Sequence, residues 1–230
     1  MIVLFTDFGL TGPYVGEMKA VLARRAPGIP VIDLMHDAPT FDARASAYLL
    51  AALTGSFPAG SVFVCVVDPG VGGDRAPIVV KIDGNRFVGP DNGLLSLLVR
   101  RGEARRAWRI TWRGENLSAS FHGRDLFCPV AAMLASGDRV ASEEISPDTV
   151  DRADWPDELA EIVYVDSFGN AMTGIRAVSL PADAVLEAGG ACFARARTFS
   201  DVAPGAAFWY ENSSGLAEIA INCGRADGLG

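Results

Sequence analysis

Two carboxylates and a guanidinium stand where short apolar runs break off. Residues 61–67 read S-V-F-V-C-V-V; Asp68 follows directly, then Pro69, Gly70, Gly72, Gly73 and Arg75. A β-branched-rich run of this length predicts a strand buried on both faces, which delivers Asp68 at its C-terminal end. Pro69 fixes one backbone angle, while the three glycines admit angles closed to other residues. An acid and a guanidinium around such a loop form a plausible ligand site, since ligands of open α/β sheets bind beyond the carboxyl ends of the strands. Asp7 ends the run Ile2 to Thr6 in the same manner. It is suited either to accept hydrogen bonds from a ribose diol or to cap a helix. The chain has two histidines. His122, beside Gly123 and Arg124, is a candidate for acid–base work near neutral pH. His36, beside Asp37 and Pro39, reads as a turn residue.

Several familiar chemistries are excluded. D-F-G at residues 7–9 opens the chain without the glycine-rich loop, lysine or H-R-D that a kinase needs before it. No G-x-G-x-x-G follows the first strand, which disfavours a nicotinamide site, and Gly72-Gly73 lacks the following helix of a P-loop. Asp166-Ser167-Phe168-Gly169-Asn170 ends a strand as Asp7 does and also reads as a turn built on Gly and Asn. Asn212-Ser213-Ser214-Gly215 is a turn by composition. The four cysteines are far apart and read as small buried hydrophobes, and no clustered thiols and histidines point to zinc.

The elements that must position these groups follow from the pattern. Strand 2–6, a helix opening at Pro13, strand 30–34, an Ala-rich helix capped by Asp42 and the strand ending at Asp68 give β-α-β-α-β, the order of a parallel sheet with right-handed crossovers. Residues 78–82 and 86–88 form a hairpin around Asp83-Gly84-Asn85. A strand spans 106–112, and a helix runs from Phe127 to near Gly137. From Asp138 to Glu161 the chain is acidic and Pro-rich and reads as a surface linker. Short strands at 161–165, 191–199, 207–210 and 216–221 then predict a small all-β domain. The expected fold is therefore α/β: an N-terminal three-layer domain with a mainly parallel sheet (1–150), a linker (151–160) and a C-terminal β-barrel-like domain (161–230).

Half of the 230 residues are hydrophobic and the net charge is -8. The first suits a sizeable core; the second argues against nucleic acid as a partner. No apolar run approaches the roughly 18 residues that span a bilayer. The N-terminus opens on a strand without a basic leader, so a cytoplasmic location is expected.

Taken together, T-D-F-G (6–9), V-D-P-G-V-G (67–72) with Arg75, P-D-N-G (90–93), F-H-G-R-D (121–125), D-S-F-G-N (166–170) and N-S-S-G-L-A-E (212–218) occur in one order. The chain resembles the S-adenosyl-L-methionine (SAM) hydrolase, or SAM hydroxide adenosyltransferase, family, relatives of the fluorinase and chlorinase. The resemblance implies hydrolysis of SAM to adenosine and methionine by a water-derived hydroxide attacking ribose C5′. It also implies a homotrimer with sites between subunits and no cofactor, SAM being the substrate. The family's Asp-Arg-His set falls on Asp68, Arg75 and His122. Its ribose aspartate falls on Asp7, its stacking aromatic on Phe41, and its remaining contacts on Asp166, Phe168, Asn170, Ser213 and Glu218. A SAM-dependent halogenase, for which Gly123 leaves space, and a non-catalytic SAM or adenosine binder are the alternatives.

Overall fold

A computed structural model describes residues 1–228; Leu229 and Gly230, the last two of the expected C-terminal domain, lie outside the described residues. The chain divides into two compact units, Met1–Ala51 with Ser56–Asp154, and Trp155–Gly230 with the short piece Ala52–Gly55.

The first unit is built on a seven-stranded sheet. Its strands are β1 (Ile2–Thr6), β2 (Val31–Met35), β3 (Val62–Val66), β4 (Pro77–Ile82), β5 (Asn85–Pro90), β6 (Arg105–Ile110) and β7 (Ser142–Ile145). Its helices are α1 (Tyr14–Arg25), α2 (Ala43–Leu53), α3 (Ser96–Arg101) and α4 (Cys128–Ser136). The strand order is β2-β1-β3-β5-β4-β6-β7. The pairs β1–β2, β1–β3 and β3–β5 are parallel, while β4 runs antiparallel to both β5 and β6, and β7 antiparallel to β6. Five strands therefore share one direction, as the β-α-β-α-β reading expects. Every residue of β1 and β3 is buried. Ile2, Leu4, Val62, Val64 and Val66 pack with Met18 and Leu22 of α1 and Phe127, Val130 and Ala131 around α4. On the opposite pleat Val3, Phe5, Phe63 and Cys65 are equally inaccessible. Each large aliphatic side chain so buried contributes about 1.5–3 kcal/mol. This fixes both strands rigidly up to their carboxyl ends.

Local signals act as their chemistry requires. Asp42 Oδ1 accepts the Ala45 N–H at 2.9 Å and caps α2. Asp83 (φ 47°) and Gly84 (φ 95°) make the hairpin turn between β4 and β5. The acidic stretch after Asp138, expected to be a linker, instead supplies β7 at the sheet edge, with Arg106 and Glu144 paired across to it. An exposed edge strand needs no apolar alternation and discourages further pairing with charge, so it looks like a linker in sequence.

The second unit holds β8 (Leu159–Val165), β9 (Ala171–Arg176), β10 (Val185–Ala188), β11 (Ala191–Ala194), β12 (Ala207–Glu211) and β13 (Leu216–Ile221). They form a four-stranded antiparallel sheet, β12-β13-β9-β8, and the β10–β11 ribbon. Trp209, Phe193, Ala217 and Ile219 form its core. Strands β9 and β10 have no counterpart among the expected elements. Of the cysteines, Cys65 and Cys128 are buried as expected, whereas Cys192 and Cys223 are exposed and free: Cys192 lies on the outer face of β11, whose Phe193 enters the core, and Cys223 lies in a turn.

Candidate active site

After β1 the chain crosses to β2 on one side, and after β2 it returns to β3 on the other side of β1. The carboxyl ends of β1 and β3 are thus the point where connections diverge and a crevice opens. Register pairs Thr6 with Val66, so Asp7 and Asp68 leave neighbouring strands almost level. Burial raises the Asp7 carboxyl above its ordinary range; backbone hydrogen bonds oppose this, and the charge of Asp68 adds a little to it.

The loop after Asp68 is wound by hydrogen bonds from Val71 N–H to Asp68 O (3.2 Å) and from Gly73 N–H to Gly70 O (3.0 Å). Among its three glycines only Gly72 has positive φ, at 81°, and a Cβ there would stand 2.6 Å from Ala119 O. Gly72 therefore lets the loop press against the chain that leads into His122. Asn92 of P-D-N-G donates to Val67 O at 2.8 Å and braces the end of the strand.

These contacts bring three side chains together. Arg75 Nε lies 3.1 and 3.0 Å from the two Asp68 oxygens, and Nη2 lies 2.5 Å from Oδ2. Nη2 also lies 2.6 Å from His122 Nδ1. The side chains of Asp68 and Arg75 are 4% and 10% exposed, and the guanidinium carbon sits 5.6 Å from the Phe127 ring centre. Arginine only donates, so His122 Nδ1 must accept, and the imidazole is neutral with its proton on Nε2. Burial, then the charge of Arg75, holds the His122 pKa below its ordinary value; Asp68 pulls the other way. The arrangement offers a carboxylate with spare acceptor capacity beside a guanidinium and an Nε2–H donor. It can hold and orient a small protic nucleophile.

His122 opens a single π-turn, Gly123–Phe127, that leads into α4. The rest of F-H-G-R-D is structural. Arg124 bonds Asp125 (2.7 and 2.9 Å) and Glu17 of α1 (2.5 Å), and Asp125 accepts the Ser118 N–H at 3.0 Å. A Cβ on Gly123 would meet the rings of Phe8 and Phe121 at 3.3–3.4 Å. The space expected beside Gly123 is thus filled by an aromatic cluster of Phe8, Tyr14 and Phe121. A cavity of about 500 Å³ also includes Arg24, Arg25, Arg113 and Arg124 in its lining. We do not assign it the chemistry: Arg124 is engaged by two acids, Arg113 donates to the carbonyls of Ile110 and Trp112, and Arg25 sits by Trp112.

Asp7 Oδ2 accepts the Phe41 N–H at 3.1 Å. Phe41 has φ 63° and is 74% exposed. Left-handed backbone is uncommon for a large apolar residue, and here it presents the side chain to solvent.

In the second unit, Asp166, Phe168 and Asn170 line a cavity of about 490 Å³ with Phe199, Tyr210 and Cys223. Asp166 organises the turn: Oδ1 accepts N–H groups of Phe168 and Asn170 at 2.9 Å, and Oδ2 accepts Asn170 Nδ2 at 3.0 Å. Arg225 braces it from the Ser167 carbonyl at 2.9 Å. Glu218 is buried, receiving Tyr210 O–H at 2.5 Å and Asn212 Nδ2 at 2.7 Å. Ser213 is exposed in the β12–β13 turn. Neither Glu218 nor Ser213 lines the cavity. Phe199 and Tyr210 were not singled out from the sequence. The aromatic run Phe208-Trp209-Tyr210 was the available signal, but nothing in it tells core from cavity wall.

Comparison with known proteins gives a consistent outcome. Residues 2–144 match the SAM hydroxide adenosyltransferase N-terminal domain, and residues 160–229 match the C-terminal domain of the same family. A (R)-S-adenosyl-L-methionine hydrolase of Thermus thermophilus is 39% identical over 98% of this chain and 93% of its own. One from Salinispora arenicola is 40% identical over 97% and 91%. A fluorinase of Nocardia brasiliensis is 23% identical over 78% and 72%. The crystal structure of an uncharacterized conserved protein from Thermotoga maritima superimposes with a TM-score of 0.87 and 33% identity, covering 100% of this chain and 95% of the other.

Proposed function

This chain belongs to the SAM hydroxide adenosyltransferase family, and we propose that it hydrolyses S-adenosyl-L-methionine to adenosine and methionine. The observation that carries the reading is the Asp68–Arg75–His122 cluster at the carboxyl ends of the sheet strands. In the proposed reaction the water oxygen attacks C5′ in line, the C5′–S bond breaks, and its electron pair returns to sulfur. The leaving group is a neutral thioether, so no general acid is needed. The difficulty lies in presenting a water oxygen with developing negative charge, oriented and poorly solvated.

The residues divide that task. Asp68 accepts one water O–H and takes the proton as the C–O bond forms, because Arg75 cannot be deprotonated in a protein. Arg75 holds the carboxylate rigidly and stabilises charge on the oxygen. His122, neutral with Nε2–H, donates to that oxygen and fixes its direction. Asp7 receives the ribose diol and Phe41 stacks on a ring of the nucleoside. Asp166, Phe168, Asn170, Ser213 and Glu218 complete recognition, Glu218 through Tyr210 and Asn212 rather than by direct exposure. We further propose a cytoplasmic homotrimer with sites between subunits, needing no cofactor.

The test is direct. The purified chain is incubated with SAM in ¹⁸O-labelled water containing chloride or fluoride, with and without a chelator. Expected are adenosine carrying the label at its 5′-oxygen, methionine, and no effect of chelator. A 5′-halo-5′-deoxyadenosine product would replace the reading with a halogenase, and SAM recovered intact from a tight complex would make the chain a sensor. Light scattering on the eluted protein reports the trimer.

A further inference from the structure

His36, which the sequence suggests is a turn residue, is fully enclosed just beyond β2 and faces the end of β1. Its Nδ1 lies 2.8 Å from Thr6 Oγ1, and Thr6 is itself completely buried. Thr6 Oγ1 accepts the Phe8 N–H at 3.3 Å. Two backbone bonds flank this pair: Gly9 N–H to His36 O at 2.6 Å and Ala38 N–H to Thr6 O at 3.1 Å. On the other side of the ring, Nε2 stands 3.1 Å from Asp33 Oδ1 without the alignment of a linear hydrogen bond, and Lys19 of α1 grips Asp33 Oδ2 at 2.5 Å.

Thr6 Oγ1 receives the Phe8 N–H, and the hydroxyl proton, directed at the nearest lone pair, His36 Nδ1, completes the contact. The imidazole then carries its proton on Nε2, turned towards the Asp33 carboxylate. Asp7 lies between the two residues that this relay clamps, and Asp7 Oδ2 in turn holds the backbone of Phe41. Buried polar contacts linked in this way act as a unit, and loss of one member unsettles the others.

We infer that His36 is a positioning residue for substrate binding: through Thr6 it fixes Asp7, and through Asp7 it fixes Phe41, without touching substrate. The inference rests on the reading of Asp7 and Phe41 as nucleoside contacts. It also separates two functions by strand. The relay serves β1 and β2, while Asp68, Arg75 and His122 are anchored by β3 and the π-turn. Disturbing the relay should therefore weaken binding and spare the chemical step.

The test compares His36→Leu, Thr6→Val, their combination and His36→Asn by initial rates on SAM. His36→Leu and Thr6→Val each raise KM about tenfold with kcat held within twofold, and the double variant is no worse than either single one. His36→Asn, whose Oδ1 can take the place of Nδ1, restores KM to within about threefold of wild type. A residue that merely supports the fold would lower the active fraction, hence kcat, and leave KM alone; that pattern, or unchanged KM in both Leu and Val variants, overturns the inference. Amide hydrogen exchange supplies a readout independent of turnover. Exchange at Phe8 and Phe41 should quicken at least tenfold in Thr6→Val and His36→Leu, with β3 amides unchanged, and unaltered exchange in the Thr6→Val protein also refutes the relay. If the wild type makes no adenosine, the hydrolase reading falls, and exchange still decides the relay.

Discussion

Arg75→Lys keeps the positive charge beside Asp68 and removes the geometry. The guanidinium presents two nitrogens to the carboxylate, at 2.5–3.1 Å, and the nearer one also reaches His122 Nδ1 at 2.6 Å. An ammonium has one nitrogen and cannot span both partners from the same place. At least one charge-assisted hydrogen bond is lost, which costs about 1.5–3 kcal/mol of stability. For a chain of this size that lowers Tm by roughly 3–12 °C, at about 2–4 °C per kcal/mol. The kinetic loss is larger. Removing one preorganised donor from the reacting oxygen costs about 10²–10³ in kcat, or roughly 2.7–4 kcal/mol. KM should stay within about threefold, since Asp7 and Phe41 are untouched. Adenosine release followed by chromatography, beside thermal melts by circular dichroism, measures both effects. A variant that retains more than about a third of wild-type kcat would refute the assignment of Arg75 to the nucleophile. A rise in KM alone would make Arg75 a substrate ligand instead.

Three further outcomes are expected. Burial and Arg75 keep His122 neutral by lowering its pKa below the unfolded value of about 6.5, so its contribution to stability is complete above that pH and is lost as pH falls through the folded value. The rate should fall on the same acid side, and a pH profile of kcat/KM whose acid limb lies above pH 7 would contradict the neutral Nε2–H form. Gly72→Ala forces a side chain into left-handed backbone 2.6 Å from Ala119 O, which should cost about 1–3 kcal/mol in urea unfolding and reduce kcat by displacing the loop that carries Arg75. Phe41→Ala removes a ring stack of about 1–3 kcal/mol, so KM should rise roughly 5- to 150-fold with kcat preserved; unchanged KM would remove Phe41 from the site.

Sequence alone revealed the groups delivered by buried strands. An apolar run followed by D-P-G announces both a strand buried on two faces and the carboxylate at its end, so Asp68 was legible without any partner. The hairpin at Asp83-Gly84 and the cap at Asp42 were legible for the same reason, because each depends on neighbouring residues. What escaped depends on distant ones. The Thr6–His36 contact joins residues thirty positions apart, and only the β1–β2 register puts them together. Strand β9, A-M-T-G-I-R, lacks alternation because its partners on both sides, rather than its own pattern, hold it in the sheet. Edge strand β7 is polar and imitates a linker. In F-H-G-R-D the sequence offers three charged or titratable side chains, and packing alone shows that Arg124 and Asp125 serve α1 and the neighbouring loop while His122 meets Arg75.

At the carboxyl ends of β1 and β3 two carboxylates, Asp7 and Asp68, stand nearly level, and the guanidinium of Arg75 is bonded to Asp68. In the proposed site this leaves the Asp7 carboxylate to act on a charged substrate, which has a bearing on how the enzyme empties itself. A sulfonium entering such a field is attracted by it. Once the C–S bond breaks, sulfur is neutral and that attraction ends, at the moment when both products must leave. The same carboxylate repels halide, the anionic competitor of water. In the proposed site, one carboxylate at a strand end would thus draw substrate in, let products go and favour water as the nucleophile.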